Sequence, residues 1–548
     1  MPRFRVGLVL LTCALAFAAI RAGHGQTAGS PLVIVEGLGL PAVEQGALIG
    51  EPRAPDTSVS LHTTRMQTGS TLLTRMGSSG AAYTPGKVIV KFSDGGSNVA
   101  HVQAARRASQ TARMAPRPAY ADFDLVMLDP SEDPEAVAAA FRDQPGVEYS
   151  QAAYVKQTMF VPNDPLYKML QWNLPLIDME RAWDIQPQAG SSITVAVLDT
   201  GVAYTSATLT VNISGFSNGG VTYPALGPVT IPYSAASQLG PSSRFVAPND
   251  FIWNTAMPPL DFEGHGTHVS GTIGQLTNDG IGTAGVAFNV KLMPVKVLAG
   301  DWDVHFGGAP DVGGSDDEIA QGIRYAADNG AKIINMSLGG YGPPNCGTSP
   351  NQPGCSPAIE AALRYAVGKG VFVAVAAGNA FLTGNPTSII AEIASRVPGV
   401  VSVAAVGVDK SHAVYSSTGS WVELAAPGGG GGTDNSGFVW QQTFNFNFTN
   451  TFNMPLPKYV APRFDVIAYV GYAGTSQATP HVAGVAAMLM QQGITDPAAI
   501  EAALERFTIP CSESQNTCDA SIAANHNSTF GYGLVDARNA LRGLGLAR

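Results

Sequence analysis

Ile193-Thr-Val-Ala-Val-Leu198 is an almost unbroken apolar run of strand length that ends directly on Asp199-Thr200-Gly201. A strand with one wet face alternates polar and apolar residues. A strand covered on both faces does not, which is the habit of parallel sheets wrapped by helices. Val290 to Leu298, Lys332 to Leu338, Val371 to Ala377 and Val400 to Val406 repeat the pattern. Helical spacing fills the intervals at Asp317–Asn329, which stops at Gly330, and at Ser356–Lys369, which stops at Gly370. This alternation predicts an α/β fold with one parallel sheet between helices. Two later helices are expected at Ala473–Gln491 and Asp496–Phe507, while 203–260 and 427–465 lack a period and read as long surface insertions.

Charge narrows the partners. The formal net charge is −10, yet residues 1–160 carry 14 basic and 13 acidic groups, so all of the negative excess lies beyond them. An acidic main body repels phosphate backbones, and nucleic acid is not an expected partner. With 45% apolar residues the chain has the material for a large core.

The first 25 residues read as an export signal: Arg3 and Arg5, an apolar stretch from Val6 to Ile20, then Ala22, Gly23 and Gly25. That stretch is shorter than the roughly 20 residues a spanning helix needs, so a secreted protein without a membrane span is expected. Cys13 leaves with the signal. Of the remaining four, Cys346 and Cys355 lie nine apart, and Cys511 and Cys518 lie seven apart. Three connectivities exist, and the two local pairs are favoured because short loops close cheaply and export leads to an oxidising compartment. Zinc is a poorer reading, since neither pair is Cys-x-x-Cys.

Residues 26–83, rich in Gly, Ser, Thr and Pro, read as an extension or linker. Order is expected from 84 to 160 as a small α+β domain. Its strands would be Lys87–Phe92, Phe123–Leu128 and Val147–Tyr154, with helices at Val99–Arg113 and at Asp133–Phe141, the latter opened by Pro134. Residues 161–548 form the main domain.

Three segments hold the residue types of a nucleophilic hydrolase. Asp199 ends a buried strand, on the edge where open α/β folds place their sites. His265 lies in Gly264-His-Gly-Thr-His268. Ser476 lies in Gly474-Thr-Ser-Gln-Ala-Thr-Pro-His481, at the start of a helix whose free N–H groups favour negative charge. A hydroxyl at neutral pH needs an imidazole to take its proton, and the imidazole needs a carboxylate to fix its tautomer. Taken singly, Asp199 is a turn residue, Ser476 an N-cap, and His265 with His268 a weak metal pair lacking the zinc-hydrolase spacing. Jointly they require another explanation.

The blocks Val197-Leu-Asp-Thr-Gly-Val202, Gly264-His-Gly-Thr-His-Val-Ser-Gly-Thr272 and Gly474-Thr-Ser-Gln-Ala-Thr-Pro-His-Val-Ala-Gly484 resemble the signature of the subtilisin-like serine proteases, over roughly residues 163–545. The chain order Asp, His, Ser is the one documented for subtilisin. The resemblance implies a subtilisin-like parallel sheet sandwiched by helices. Asp199 would be the orienting carboxylate, His265 the general base and acid, and Ser476 the nucleophile of a secreted endopeptidase. His268 and His481 would be structural. Ala376-Ala-Gly-Asn379 resembles the family's oxyanion block, with Asn379 donating its amide. Asn335-Met-Ser-Leu-Gly-Gly340 resembles the edge on which substrate lies as an added strand. Ser337, Leu338 and Gly339 would then form one wall of the main specificity pocket, and Ala377 and Gly378 the other. Neither wall holds an acid, so apolar or aromatic residues are the expected preference.

Residues 86–156 resemble the family's propeptide, an intramolecular inhibitor and chaperone, with the mature chain starting near Val161. The resemblance implies a monomer that acts on protein or peptide substrates without a catalytic cofactor. Gln477 stands where some members carry Met, which should lessen inactivation by peroxide. Structural calcium occurs in the family, and Asp301, Asp303, Asp311, Asp316 and Asp317 cluster in one stretch that could bind it or stay solvated. Two other readings are weaker. A degenerate, non-catalytic scaffold is disfavoured because every catalytic position is filled. An α/β-hydrolase esterase would carry Gly-x-Ser-x-Gly, but position 478 is Ala.

Overall fold

The structure, a computed structural model, describes residues 82–93, 98–154, 160–218, 221–253, 257–430, 437–445, 449 and 460–543, with strand pairs at 34–35 and 75–76. The signal segment, Cys13 and most of the 26–83 extension lie outside the described residues. Within the extension, Ile34–Val35 runs antiparallel to Tyr469–Val470. The chain divides into two compact units, one across 39–158 and the other across 159–544.

In the first unit, Ala82–Phe92 pairs antiparallel with Asp124–Met127 and with Val147–Tyr154, and the helices Asn98–Ala108 and Pro134–Arg142 accompany the sheet. Val88, Val90, Val126, Ala105, Ala138 and Phe141 form its core. The first helix ends earlier than its apolar spacing predicts. Ser109 turns the chain by accepting from the Thr111 N–H and donating to Glu132, and Arg113–Met114 becomes a short strand. A hydroxyl that offers the backbone a local partner competes with the next helical turn.

The second unit holds a seven-stranded sheet in the order Asn249–Asp250, Lys291–Lys296, Thr194–Asp199, Ile333–Met336, Phe372–Ala376, Val400–Val406 and Leu424–Pro427, every neighbouring pair parallel. The expected strands and helices are present within a residue or two of their predicted limits. One face is covered by the Thr475–Gln491 helix with Val269 and Ile273, the other by Ile319, Ile323, Ile359 and Leu363. From the central Thr194–Asp199 strand the chain first builds one side of the sheet and then the other. The reversal leaves a crevice at the C-terminal strand ends beside Asp199.

Two expectations are corrected. The 203–260 stretch contains a regular hairpin, Ala207–Ile213 against Leu226–Tyr233. The 427–465 stretch is not wholly superficial: Val439–Phe444 is a fully buried strand paired with Ile467–Tyr472. Its polar residues hid it. Gln441 bonds Thr283 and Ala284, Gln442 accepts from the Gln238 N–H, and Thr443 donates to Gly264 O at 2.6 Å. Buried polar groups paired in this way produce no apolar period.

Candidate active site

Each element that delivers a site residue does so at an end. Asp199 is the last residue of its strand, and His265 is the first residue of the His265–Gly274 helix. His265 Nδ1–H donates to Asp199 Oδ1 at 2.7 Å, with the carboxylate fully buried. The approach of these two elements depends on Gly266, where a Cβ would lie 2.1 Å from Gly201 O and 3.0 Å from Asp199 Cβ. Thr200 ties the elements together. Its N–H donates to Asp199 Oδ1 at 2.8 Å, its hydroxyl donates to Asp261 Oδ1 at 2.9 Å, and Thr200 Oγ1 itself accepts the Gly266 N–H.

Asp261 escaped the sequence reading. It is fully buried and caps the histidine helix from outside it, accepting N–H groups from Glu263, Gly264 and Thr267. The signal was present, as an acid a few residues before a helix start is a capping cue. Lys296 and Asp303 were also missed as a pair. Both side chains are fully buried and meet at 2.9 Å, while Lys296 Nζ also donates to Thr200 O. Asp303 further accepts from Trp253 Nε1 and the Gly300 N–H.

Burial favours the neutral imidazole of His265, but the charge and hydrogen bond of Asp199, followed by Glu263 and Asp261, outweigh it and push the group up to about 9. His268 goes the other way, down to about 3, through burial and the neighbouring His265. Its Nε2 bonds Val439 O and Val470 O, joining the buried strand pair. His481, lowered to about 4 by burial, spans Gln477 O and the Asn173 amide. Both sit behind the crevice.

Ser476 is the second residue of the Thr475–Gln491 helix. Pro480 is the sixth residue of that helix, and it removes the N–H that would have bonded Ser476 O. Ser337 Oγ donates to that carbonyl at 2.7 Å, and Ser476 Oγ donates back to Ser337 O at 3.2 Å. The serine hydroxyl is thus held on Ser337 O.

Asn379 follows the Phe372–Ala376 strand. Its Oδ1 accepts from Thr475 N–H at 2.9 Å and Thr475 Oγ1 at 3.0 Å, which turns Nδ2 the other way. A Cβ placed on Gly474 would lie 2.9 Å from Gln477 Oε1, 3.5 Å from Asn379 Nδ2 and 3.6 Å from Ser476 N, so both N–H groups lie close to Gly474. Ser337, Leu338 and Gly339 continue the Ile333–Met336 strand, while Ala377 and Gly378 continue the neighbouring one. Among the described residues, the five aspartates that could bind calcium or stay solvated form no ligating group. Asp303 faces Lys296, and Asp316 and Asp317 open a helix with Ser315. Among the described residues, the carboxylates within joint ligating distance are Glu423, Glu501 and Glu505. Disulfides close Cys346–Cys355 and Cys511–Cys518.

A parallel α/β sheet with a buried acid–imidazole pair at its strand ends and a serine at a helix start is the arrangement of the serine hydrolase class. The chain belongs to the subtilase family, whose sequence model matches residues 190–533. Residues 73–152 match the fervidolysin N-terminal prodomain. The chain is 30% identical over 412 residues to the thermophilic serine proteinase of Bacillus sp. strain AK1, covering 75% of this chain and 79% of that protein. It is 30% identical over 350 residues to thermitase of Thermoactinomyces vulgaris, covering 63% and 91%. A solved protease from Pseudoalteromonas arctica shares 28% identity, with a TM-score of 0.49 over 70% of this chain and all of that one. The protein is a subtilisin-like serine protease with a prodomain.

Proposed function

We propose that this chain is a secreted serine endopeptidase in which Ser476 is the nucleophile, His265 the general base and acid, Asp199 the orienting carboxylate and Asn379 an oxyanion donor. The observation that carries the reading is the 2.7 Å Asp199–His265 bond, which leaves Nε2 as the proton-accepting nitrogen. In this reading the Ser476 hydroxyl leaves Ser337 O and turns to His265 Nε2. The hydroxyl then attacks the peptide carbonyl, and its proton passes to His265. Asn379 Nδ2 and the Ser476 N–H receive the negative oxygen, each such donor being worth about 10²–10³ in rate. His265 returns the proton to the leaving amine, and water repeats the sequence on the acyl-enzyme. No cofactor enters these steps.

The domain reading proposed with it is a signal over 1–25, an extension over 26–83, an inhibitory propeptide over 84–160 and a peptidase over 161–548. The export signal supports secretion, and the relative from Xanthomonas campestris is named an extracellular protease. Among the described residues no helix is long and apolar enough to cross a membrane. A fluorophosphonate probe should label Ser476 in secreted, processed protein. Ser476→Ala should accumulate as an uncleaved precursor, and a correctly trimmed Ser476→Ala protein would refute self-processing. Processed wild-type protein that resists the probe would favour the scaffold reading.

A further inference from the structure

The two walls assigned to the specificity pocket are not independent. Tyr341 follows the first wall directly, and its Oη accepts the Asn379 N–H, on the second wall, at 2.8 Å. The ring runs alongside that wall: a Cβ built on Gly378 would meet Tyr341 Cε1 and Oη at 3.2 Å each. A half-buried phenol therefore reaches from one wall to the other beside the backbone that would line a substrate side chain.

The phenol is also held from behind. Tyr341–Gly342 pairs antiparallel with Thr387–Ser388, and the Ile389 N–H donates to Gly340 O at 2.9 Å. The loop closed by Cys346–Cys355 packs on the same segment, since a Cβ on Gly342 would sit 2.7 Å from Gly354 O and 2.8 Å from Ile389 Cγ1. A backbone restrained on both sides cannot easily swing its side chain away from an entering group.

We propose that Tyr341 is a specificity-determining residue that fills the space between the two walls and restricts the enzyme to substrates whose scissile carbonyl belongs to a small residue, Ala, Gly or Ser. The inference rests on the peptidase reading above and replaces the broader apolar or aromatic expectation. An aromatic substrate side chain would have to occupy the volume of the Tyr341 ring, and cores and pockets resist such overlap.

The test compares succinyl-Ala-Ala-Pro-Ala-p-nitroanilide with its Phe counterpart, using mature wild-type enzyme, Tyr341→Ala and Tyr341→Leu. Active sites are counted by fluorophosphonate uptake. Wild type should favour the Ala peptide by at least about tenfold in kcat/KM, the discrimination a filled pocket typically gives. Either variant should raise the Phe-to-Ala ratio by at least about tenfold. Wild type that prefers Phe overturns the proposal, as does a labelled variant with an unchanged ratio. Wild type that neither takes up the probe nor cleaves casein overturns the peptidase reading itself, a result separable from an unchanged ratio in active enzyme.

Discussion

Ser337 and Ser476, 139 residues apart, exchange two hydrogen bonds: each hydroxyl donates to the other's backbone carbonyl, at 2.7 Å and 3.2 Å. The exchange exists because Pro480 leaves Ser476 O without its helical donor. It ties the end of the Ile333–Met336 strand to the Thr475–Gln491 helix through the residue proposed to react.

Ser337→Ala removes one half of that exchange and leaves Ser476 O without its hydroxyl donor. Loss of a buried partner typically costs about 1–3 kcal/mol. The variant should unfold at a lower temperature by calorimetry, and kcat should fall more than KM rises. Unchanged values of both would show that the pair does not hold the helix.

Asn379→Ala should lower kcat by about 10²–10³ with little change in KM, because its amide meets charge that exists only in the transition state. Thr475→Val, which removes the hydroxyl bonded to Asn379 Oδ1 but leaves the amide, should give a smaller loss of the same kind. Steady-state kinetics on one chromogenic peptide separate the two.

The charge on His265 sets the pH profile. The base must be neutral, and its folded pKa is pushed up to about 9, so kcat/KM should rise with pH through that value. Glu263 is one of the groups that raise it. Glu263→Gln should therefore move the rising limb to lower pH and increase activity near pH 7. A limb that stays in place would remove Glu263 from the electrostatics of the site.

Lys296→Met should be severely destabilising, by about 3–5 kcal/mol, because Asp303 is left charged, buried and unpaired. Replacing both partners, Lys296→Met with Asp303→Leu, should recover much of the loss in a chemical denaturation curve. Failure of the double variant to recover would mean that the bonds to Thr200 O and Trp253 matter more than the charge pairing.

Burial, then the charge of Glu501, pushes Glu423 up to about 9, and the same two causes in the same order push Glu505 up to about 7. Groups protonated more readily in the folded state than in the unfolded chain contribute stability below their ordinary pKa. That contribution is lost as pH climbs through the folded values. The melting temperature should thus decline from about pH 4.5, the ordinary carboxyl value, to about pH 9 and level off beyond it. Glu423→Gln, which can keep the acceptor for the Ser402 N–H, should flatten the decline.

By itself the sequence determined whatever one short segment can encode. The buried strands of the parallel sheet report themselves as nearly unbroken apolar runs, the three motif blocks carry the proposed triad residues in short contiguous segments, and the cysteine pairs are neighbours along the chain. Tertiary structure decided what depends on two distant segments meeting. The Asp261 cap, the Lys296–Asp303 pair, the buried Val439–Phe444 strand and the reach of Tyr341 to Asn379 are all of this kind. Periodicity records how one element meets water, and a polar residue satisfied by a partner far along the chain looks, in sequence, the same as one satisfied by solvent.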